Sequence, residues 1–491
     1  MVIPFSLLFG LLLQTPEGPP SEKSEPPQES DYYRIVDVPI PDDLVLEVGG
    51  LLSLPDRTVL AATRRGEIYA IRGLEGEQVE FQLFAQGLQE PLGLLAHEGW
   101  IYTVQRGELS RLRDEDEDGD ADLIETVCDD WPISGNYHEY AFGPRMDPEG
   151  NFWITLNKPF GPEPFGRAPW RGWAARITPQ GEFQPVCAGL RSPAGVEVSP
   201  WGDVFYTDNQ GEWCGASKLS LLREGDFHGH PWGLDSCDLP ESRVLHPGMP
   251  PNGKLMPEVA AEMPSFRLPA VWFPYDKMGK SPAGILWDTT EGRFGPFAGH
   301  AFVGDQHHAS VMRVFLEQVR GHWQGACFPF RYGFQSGVLR MAWHQDHSML
   351  VGMTNRGWGS RGTRTEGLQR LLWAEKVPFE IQRMEALPSG FRLVFTKAVN
   401  VTSAAMPGYS MESYTYKLHS DYGSPEVDRH ELEISEIAVA GDRMSVTLKV
   451  KGLREGYVHE LHAPAVRSAD NEPLLHKDAY YTLIKIPSSS E

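Results

Sequence analysis

The sequence predicts an all-β protein, a six-bladed β-propeller followed by a small β-sandwich. Three observations predict it. A short phrase recurs, as Gly87-Leu-Gln-Glu-Pro91-Leu-Gly93-Leu and Gly189-Leu-Arg191-Ser-Pro193-Ala-Gly195-Val, with weaker echoes at Ser281-Pro282-Ala-Gly284-Ile and Gln335-Ser336-Gly337-Val. Each copy precedes a short apolar run, a turn and a second run such as Trp100-Ile-Tyr-Thr-Val or Met349-Leu-Val-Gly-Met. Repeats of roughly 40–50 residues built from short strands are the sequence mark of a propeller. The chain also carries 40 prolines and 50 glycines, and no apolar spacing of 3, 4 and 7 persists over several turns, which leaves strands as the element. Beyond about Glu375 the runs alternate with period two, as in Phe391-Arg-Leu-Val-Phe395 and Met444-Ser-Val-Thr-Leu-Lys-Val450. That pattern suits a sandwich with one buried face per sheet.

Taken in order, the chain opens on Met1-Val-Ile-Pro-Phe-Ser-Leu-Leu-Phe-Gly-Leu-Leu-Leu13. This run is too short to span a bilayer and reads as a secretory signal over residues 1–15. A Pro-, Glu- and Ser-rich stretch follows, read as a disordered linker over 16–30. The propeller then occupies 31–374, with blades at Leu44–Ile71, Phe84–Cys128, Tyr137–Phe183, Gly189–Leu222, Pro274–Leu316 and Phe334–Leu372. Between the fourth and fifth lies an excursion, Arg223–Phe273, and long loops on a rigid β scaffold commonly carry function. The sandwich fills 375–491.

Length and charge set limits. At 491 residues the chain exceeds one ordinary core, which fits two or three domains. A formal net charge of −23 argues against nucleic acid or an anionic membrane surface as partner, and the protein is not expected to be transmembrane. A small anionic ligand needs only a local cluster of Arg and Lys. Of five cysteines, Cys214 and Cys237 flank a loop-like segment and could bridge, against the reading of plain buried thiols. No Cys-x-x-Cys-His occurs, so covalent c-type haem is excluded within this chain.

Three constellations carry chemistry. Asp114-Glu-Asp116-Glu-Asp118-Gly119-Asp120-Ala-Asp122-Leu-Ile-Glu125 fills each acidic position of D-x-D-x-D-G-x5-E. Alternate carboxylates converge on a hard cation, so Asp114, Asp116, Asp118, Asp120, Asp122 and Glu125 are the expected calcium ligands, in a hairpin because the flanks are strand-like. The second, Asn136-Tyr-His138-Glu139-Tyr-Ala-Phe142-Gly-Pro144, puts a histidine just before an inner strand, where propeller loops open on the axis. The third puts Arg191 in the same place of the next blade and runs to Asp208 and Asn209. A histidine closing a blade and an arginine bridging blades are the plain alternatives.

The last two motifs together resemble the soluble PQQ-dependent glucose dehydrogenases and the wider glucose/sorbosone dehydrogenase family, over roughly Leu44–Trp373. That family has a six-bladed propeller. The resemblance places His138 on its catalytic base and Arg191 on the arginine that polarises the reacting quinone carbonyl. It implies PQQ as cofactor, a sugar or polyol as substrate and a separate electron acceptor. PQQ is a tricarboxylate, so Lys280, Arg313 and Arg340, with Asp208 and Asn209, are the candidates for holding it. The chain departs from the pattern at Ser192, where the family usually has Asn, and at Glu139-Tyr140 in place of glycines. Near Arg340 it has one arginine rather than two. Gly452-Leu-Arg-Glu-Gly-Tyr457-Val through Ala469-Asp-Asn-Glu-Pro-Leu resembles bacterial immunoglobulin-like domains.

The expected protein is thus an exported, secreted or periplasmic, PQQ-dependent dehydrogenase. Two other readings stay open. One is a calcium-dependent lactonase-type propeller with Glu139, Asn157 and Asn209 around an axial metal. The other is a non-catalytic carbohydrate- or protein-binding propeller. His228, His230, His307 and His308 are weaker metal candidates. Two Arg-Gly-Trp copies, Arg171–Trp173 and Arg356–Trp358, are expected to pack between blades, with sugar stacking as a second role for Trp358.

Overall fold

A computed structural model describes residues 1, 26–76, 78–160, 167–405 and 408–488. The expected signal, and most of the expected linker, lie outside the described residues. The chain is almost entirely β, arranged mostly in four-stranded antiparallel meanders. Val48–Ser53, Val59–Thr63, Ile68–Arg72 and Glu80–Ala85 make the first sheet; Leu95–His97, Trp100–Val104, Leu109–Arg113 and Leu123–Cys128 make the second. Ala141–Met146, Phe152–Leu156, Trp173–Ile177 and Phe183–Ala188 make the third. In the fourth, the excursion leaves after Ser217–Leu221, carries a helix at Met256–Glu262, and returns to supply the outer strand Val271–Phe273. Pro282–Trp287, Ala301–Asp305, Ser310–Val319 and His322–Tyr332 follow.

The final sheet, Val338–Trp343, Met349–Thr354 and Glu366–Trp373, takes its fourth strand from Tyr33–Asp37. The chain start thereby fastens the ring. From the third sheet onward the leading strands touch in sequence, and Val338–Trp343 returns to touch Val48–Ser53. Leu92, Phe142, Ala194, Ala283 and Leu339, from five successive sheets, meet with Tyr140 in one apolar cluster that floors the axis. Close approach there excludes side chains: a Cβ on Gly195 would sit 2.1 Å from the Ala283 carbonyl oxygen.

The sandwich is not a separate bead. Ile381–Leu387, Gly390–Phe395, Ser445–Val450 and Ile434–Val439 form one of its sheets. The other begins at Asp478–Leu483, which pairs directly with His322–Tyr332, so a propeller sheet continues into the sandwich as one eight-stranded sheet. Ala326 and Phe328 of the propeller share a core with Phe391, Leu461 and Tyr481. The sequence boundary near 375 therefore marks a change of strand texture and not a hinge. Cys214 and Cys237 are both free, as are the other cysteines, so of the two readings the structure has plain thiols and no bridge.

The linker expectation fails at its end. Glu29 sits in a short turn, accepts the Tyr332 amide at 2.8 Å and lies 3.0 Å from Nε2 of His476. The other ring nitrogen of His476 lies 2.6 Å from Glu380. Burial alone would lower the pKa of His476, but Glu380 and Glu29 outweigh it and push it up to about 9. A folded value above the unfolded one means the stabilisation is complete below pH ~6.5 and is lost as pH climbs through ~9. The unfolding free energy is expected to fall by on the order of 2–3 kcal/mol across that window. His476→Gln should flatten the slope in urea titrations, and a wild-type stability flat from pH 6.5 to 9.5 would contradict it.

Candidate active site

One end of the ring opens on a cavity of about 300 Å3. His138 and Arg191 both line it, with Tyr140, Asn157, Phe160, Ser192, Asn209 and Gln306 among their neighbours. Arg64, Arg191, Lys280 and Arg356 bring four positive charges to its wall, and no carboxylate among the described residues lines it. For a chain of net charge −23 this is a local inversion of sign.

The repeat explains how the cations are placed. The phrase Arg191-Ser-Pro-Ala-Gly turns into an inner strand, and the Arg191 and Ser192 amides donate to Asp208 at 3.1 and 2.7 Å. One sheet on, the Lys280 and Ser281 amides donate to Asp305 at 2.7 and 2.8 Å. In both, an aspartate ending the second strand ties down the turn and aims a cation at the axis. Asp208 is buried beneath its turn and does not line the cavity, so its expected contact with a cofactor is replaced by a positioning role. Asn209 does line the cavity.

Each cation is held by a carboxylate that does not itself line the cavity. Arg191 donates through Nε and Nη2 to Glu212 at 3.1 and 2.9 Å, with its guanidinium between the rings of Phe160 and Tyr422. Glycine at 211 leaves room for this placement, because a Cβ there would fall 1.9 Å from the guanidinium carbon and displace it. Glu212 also takes Lys158 at 2.6 Å and lies 3.7 Å from His230. Burial opposes its ionisation, yet His230, Arg191 and Lys158 hold its carboxyl well below the usual range. Arg64 pairs with Glu90, which also takes Arg106 at 2.9 Å; Arg356 pairs with Glu47 at 3.1 Å and Lys280 with Asp276 at 3.2 Å.

His138 is half-buried among Tyr137, Tyr140 and Phe160. Burial, and then the positive charge of Arg106, Lys158, Arg191 and Arg64, lowers its pKa from the ordinary histidine value. Its imidazole is therefore neutral at pH 7 and fit to accept a proton. The amide oxygens of Asn157 and Asn209 are buried at the cavity without a hydrogen bond, and buried acceptors of this kind call for a donor from water or ligand.

Arg313 and Arg340 do not belong to this set. Arg313 is stacked between Phe297 and Phe328 and donates to the carbonyls of Ile381 and Gln382, at the joint with the sandwich. Arg340 lies under the axial floor, donating to the carbonyls of Ala194, Leu339 and Leu92 at 2.8, 2.7 and 3.2 Å. Burial pushes its guanidinium down to about 9. It plugs the axis.

Glu139 is turned away from the cavity. Its buried carboxylate accepts the amides of Ser134, Gly135 and Asn136 at 2.8, 3.1 and 3.2 Å, so the ring of axial metal ligands is not built. His228 packs edge-on to Tyr206, and the Nδ1 of His307 lies 2.8 Å from the Gly359 carbonyl oxygen.

The acidic loop sits between Leu109–Arg113 and Leu123–Cys128, at the opposite end of its sheet from the cavity-side turn before Leu109. Asp114, Asp116 and Asp122 bring oxygens within 4.8 Å of one another. Asp118 and Asp120 stay outside that group, and Glu125, opposite Arg111 in the strand register, pairs with it at 2.6 Å. Of the six expected ligand residues, three bring their oxygens together.

The sequence reading missed Arg64, Arg356 and Tyr422. Arg356 stood in view in an Arg-Gly-Trp copy, but the copies diverge: Arg171 is buried against the carbonyls of Arg106, Pro132 and Glu139, whereas Arg356 and Trp358 line the cavity.

Comparison with known proteins adds the fold. A family model described as a domain of unknown function, DUF7133, matches residues 75–227. No curated protein matches the chain. Among solved structures, one named as a glucose dehydrogenase-type oxidoreductase of Thermus thermophilus is 22% identical with a TM-score of 0.50, over 69% of this chain and 100% of that one. The PQQ-bound aldose sugar dehydrogenase of Streptomyces coelicolor is 15% identical over 71% and 99%, TM-score 0.47. The apo soluble aldose sugar dehydrogenase of Escherichia coli is 13% identical over 70% and 99%, TM-score 0.43. At 22% identity the likeness to the Thermus protein is one of fold alone. No helix among the described residues is long and apolar enough to cross a membrane.

The charge environment of His138 is directly measurable. Its imidazole is expected to titrate below pH ~6.5 by NMR, and Lys158→Met should raise the midpoint by removing a nearby positive charge. A wild-type midpoint above the ordinary value would contradict the geometry.

Proposed function

We propose that the protein is a quinoprotein dehydrogenase that oxidises a sugar or polyol, built on a six-bladed propeller over 31–374 with an immunoglobulin-like sandwich over 375–491. One observation carries this reading: a cavity lined by four cations and a histidine, with no carboxylate among the described residues, in an acidic protein. A tricarboxylate such as PQQ fits that donor set, and Arg64, Arg191, Lys280 and Arg356 are the residues to hold it. Bound PQQ supplies the hydride acceptor. The chain supplies the rest. His138 takes the hydroxyl proton of the substrate on an imidazole nitrogen, which lets the adjacent carbon release its hydride. Arg191, fixed by Glu212, keeps Nη1 for negative charge developing in the cavity. Asn157 and Asn209 bring unpaired amide oxygens to the cavity wall, and Trp358 and Tyr422, 43% and 57% exposed, offer ring faces to a sugar. Electrons leave to a separate acceptor, in keeping with an exported protein.

PQQ added to the purified protein should bind and permit dye reduction with an aldose or polyol. His138→Ala should lower turnover at least ~100-fold, the usual reach of one general base, with PQQ affinity kept within about threefold. Dye reduction unaffected by His138→Ala would refute the assignment.

Calcium is proposed at Asp114, Asp116 and Asp122 as a structural ion, supported by the convergence of their oxygens. Calcium at ~100 times its dissociation constant should stabilise the fold by about 2.7 kcal/mol. Asp122→Asn should remove that gain while leaving PQQ binding unchanged, and an equal gain in both proteins would exclude the site.

A further inference from the structure

The cavity is not made by the propeller alone. Tyr422, which lines it, belongs to the turn between the sandwich strands Lys417–Leu418 and Val427–Leu432. The turn is fastened along its length to the propeller turn that carries Glu212. The Trp213 amide donates to the His419 carbonyl at 2.8 Å, the Gly423 amide to Gly211 at 3.0 Å and the Ser424 amide to Gly215 at 2.8 Å. Glu212 and Tyr422 face each other in a bridge. Lys417–Leu418 is in turn paired with Lys254–Leu255 of the excursion. Gln210 fills the space beside Gly423, where a Cβ would lie 2.6 Å from its side-chain carbon.

Two consequences follow. The ring of Tyr422 covers the Arg191 guanidinium, 5.2 Å from centroid to carbon, while remaining 57% exposed. An aromatic side chain left that open at a cavity wall is a contact surface. The same fastening also fixes the backbone of Glu212, the carboxylate on which Arg191 and Lys158 converge.

We propose that the C-terminal sandwich is a site-forming domain: Tyr422 is a ligand-contacting residue that roofs Arg191, and the ligand is held between propeller and sandwich. For the identity of that ligand the proposal rests on the quinoprotein reading; for the roof itself it does not.

The test pairs two measurements on the full chain. Phenylglyoxal, which modifies accessible guanidinium groups, is applied to wild type, Tyr422→Ala and Tyr422→Phe, and labelling at Arg191 is followed by mass spectrometry. Tyr422→Ala should label at least fivefold faster, Tyr422→Phe should label as wild type does, and Arg340 should stay unlabelled in all three. The dissociation constant for PQQ should rise about tenfold in Tyr422→Ala. Because the side chain is exposed, the unfolding midpoint should not move. Arg191 labelling at the wild-type rate in Tyr422→Ala overturns the proposal, as does an unchanged affinity where wild type binds PQQ. Faster labelling in a protein that does not bind PQQ would leave the roof standing and remove the quinoprotein reading.

Discussion

Four carboxylates that never reach the cavity hold its charge in place. Glu47, Glu90, Glu212 and Asp276 each pair with a cation on the wall without themselves lining the cavity. Arginines as buried as Arg64 and Arg191 are costly to desolvate without a partner. A partner placed inside the cavity would cancel the field that a ligand meets. Pairing outside the cavity lining resolves both demands. Glu90 and Glu212 each serve more than one cation, with Arg106 and Lys158 as the additional ones, so a positive excess survives the pairing.

The scaffold explains why this can be done at one place only. Each sheet contributes its leading turn to the axis, and the repeated aspartate at the end of the second strand fixes that turn in two neighbouring sheets. The axis below is sealed by apolar side chains and by Arg340, whose guanidinium satisfies backbone carbonyls from three strands. The continuous sheet through His322–Tyr332 and Asp478–Leu483 makes the sandwich rigidly part of the same body, which is what allows a turn near residue 422 to serve as wall.

Much of this was legible in the sequence, for identifiable reasons. The recurring Pro-x-Gly phrase reports the turn into an inner strand, because glycine is required where neighbouring backbones nearly touch on the axis. The same phrase located Arg191 and Lys280. It misled at Arg340, which follows the phrase by one strand step and so falls beneath the floor. Glu125 fitted an acidic spacing, yet strand register set it against Arg111, a pairing that a linear motif does not contain. Arg64 comes from a turn without a repeated signature, Arg356 from a repeated Arg-Gly-Trp whose two copies take different environments, and Tyr422 enters from a distant domain. Contacts of such sequence separation leave no local trace. The strand Tyr33–Asp37 was missed as well, since a closing strand gains its meaning only from a partner more than 300 residues away.

The central proposal is electrostatic: a wall of cations, with no carboxylate among the described residues, suits a flat, multiply anionic ligand. Its most direct measurement compares the affinity for PQQ with that for its uncharged trimethyl ester, by calorimetry on the same protein at fixed salt. Charged hydrogen bonds contribute about 1.5–3 kcal/mol each, so the account predicts at least ~100-fold tighter binding of the free acid, a gap that narrows as salt is raised. Equal affinities for acid and ester, or no binding of either, would contradict it.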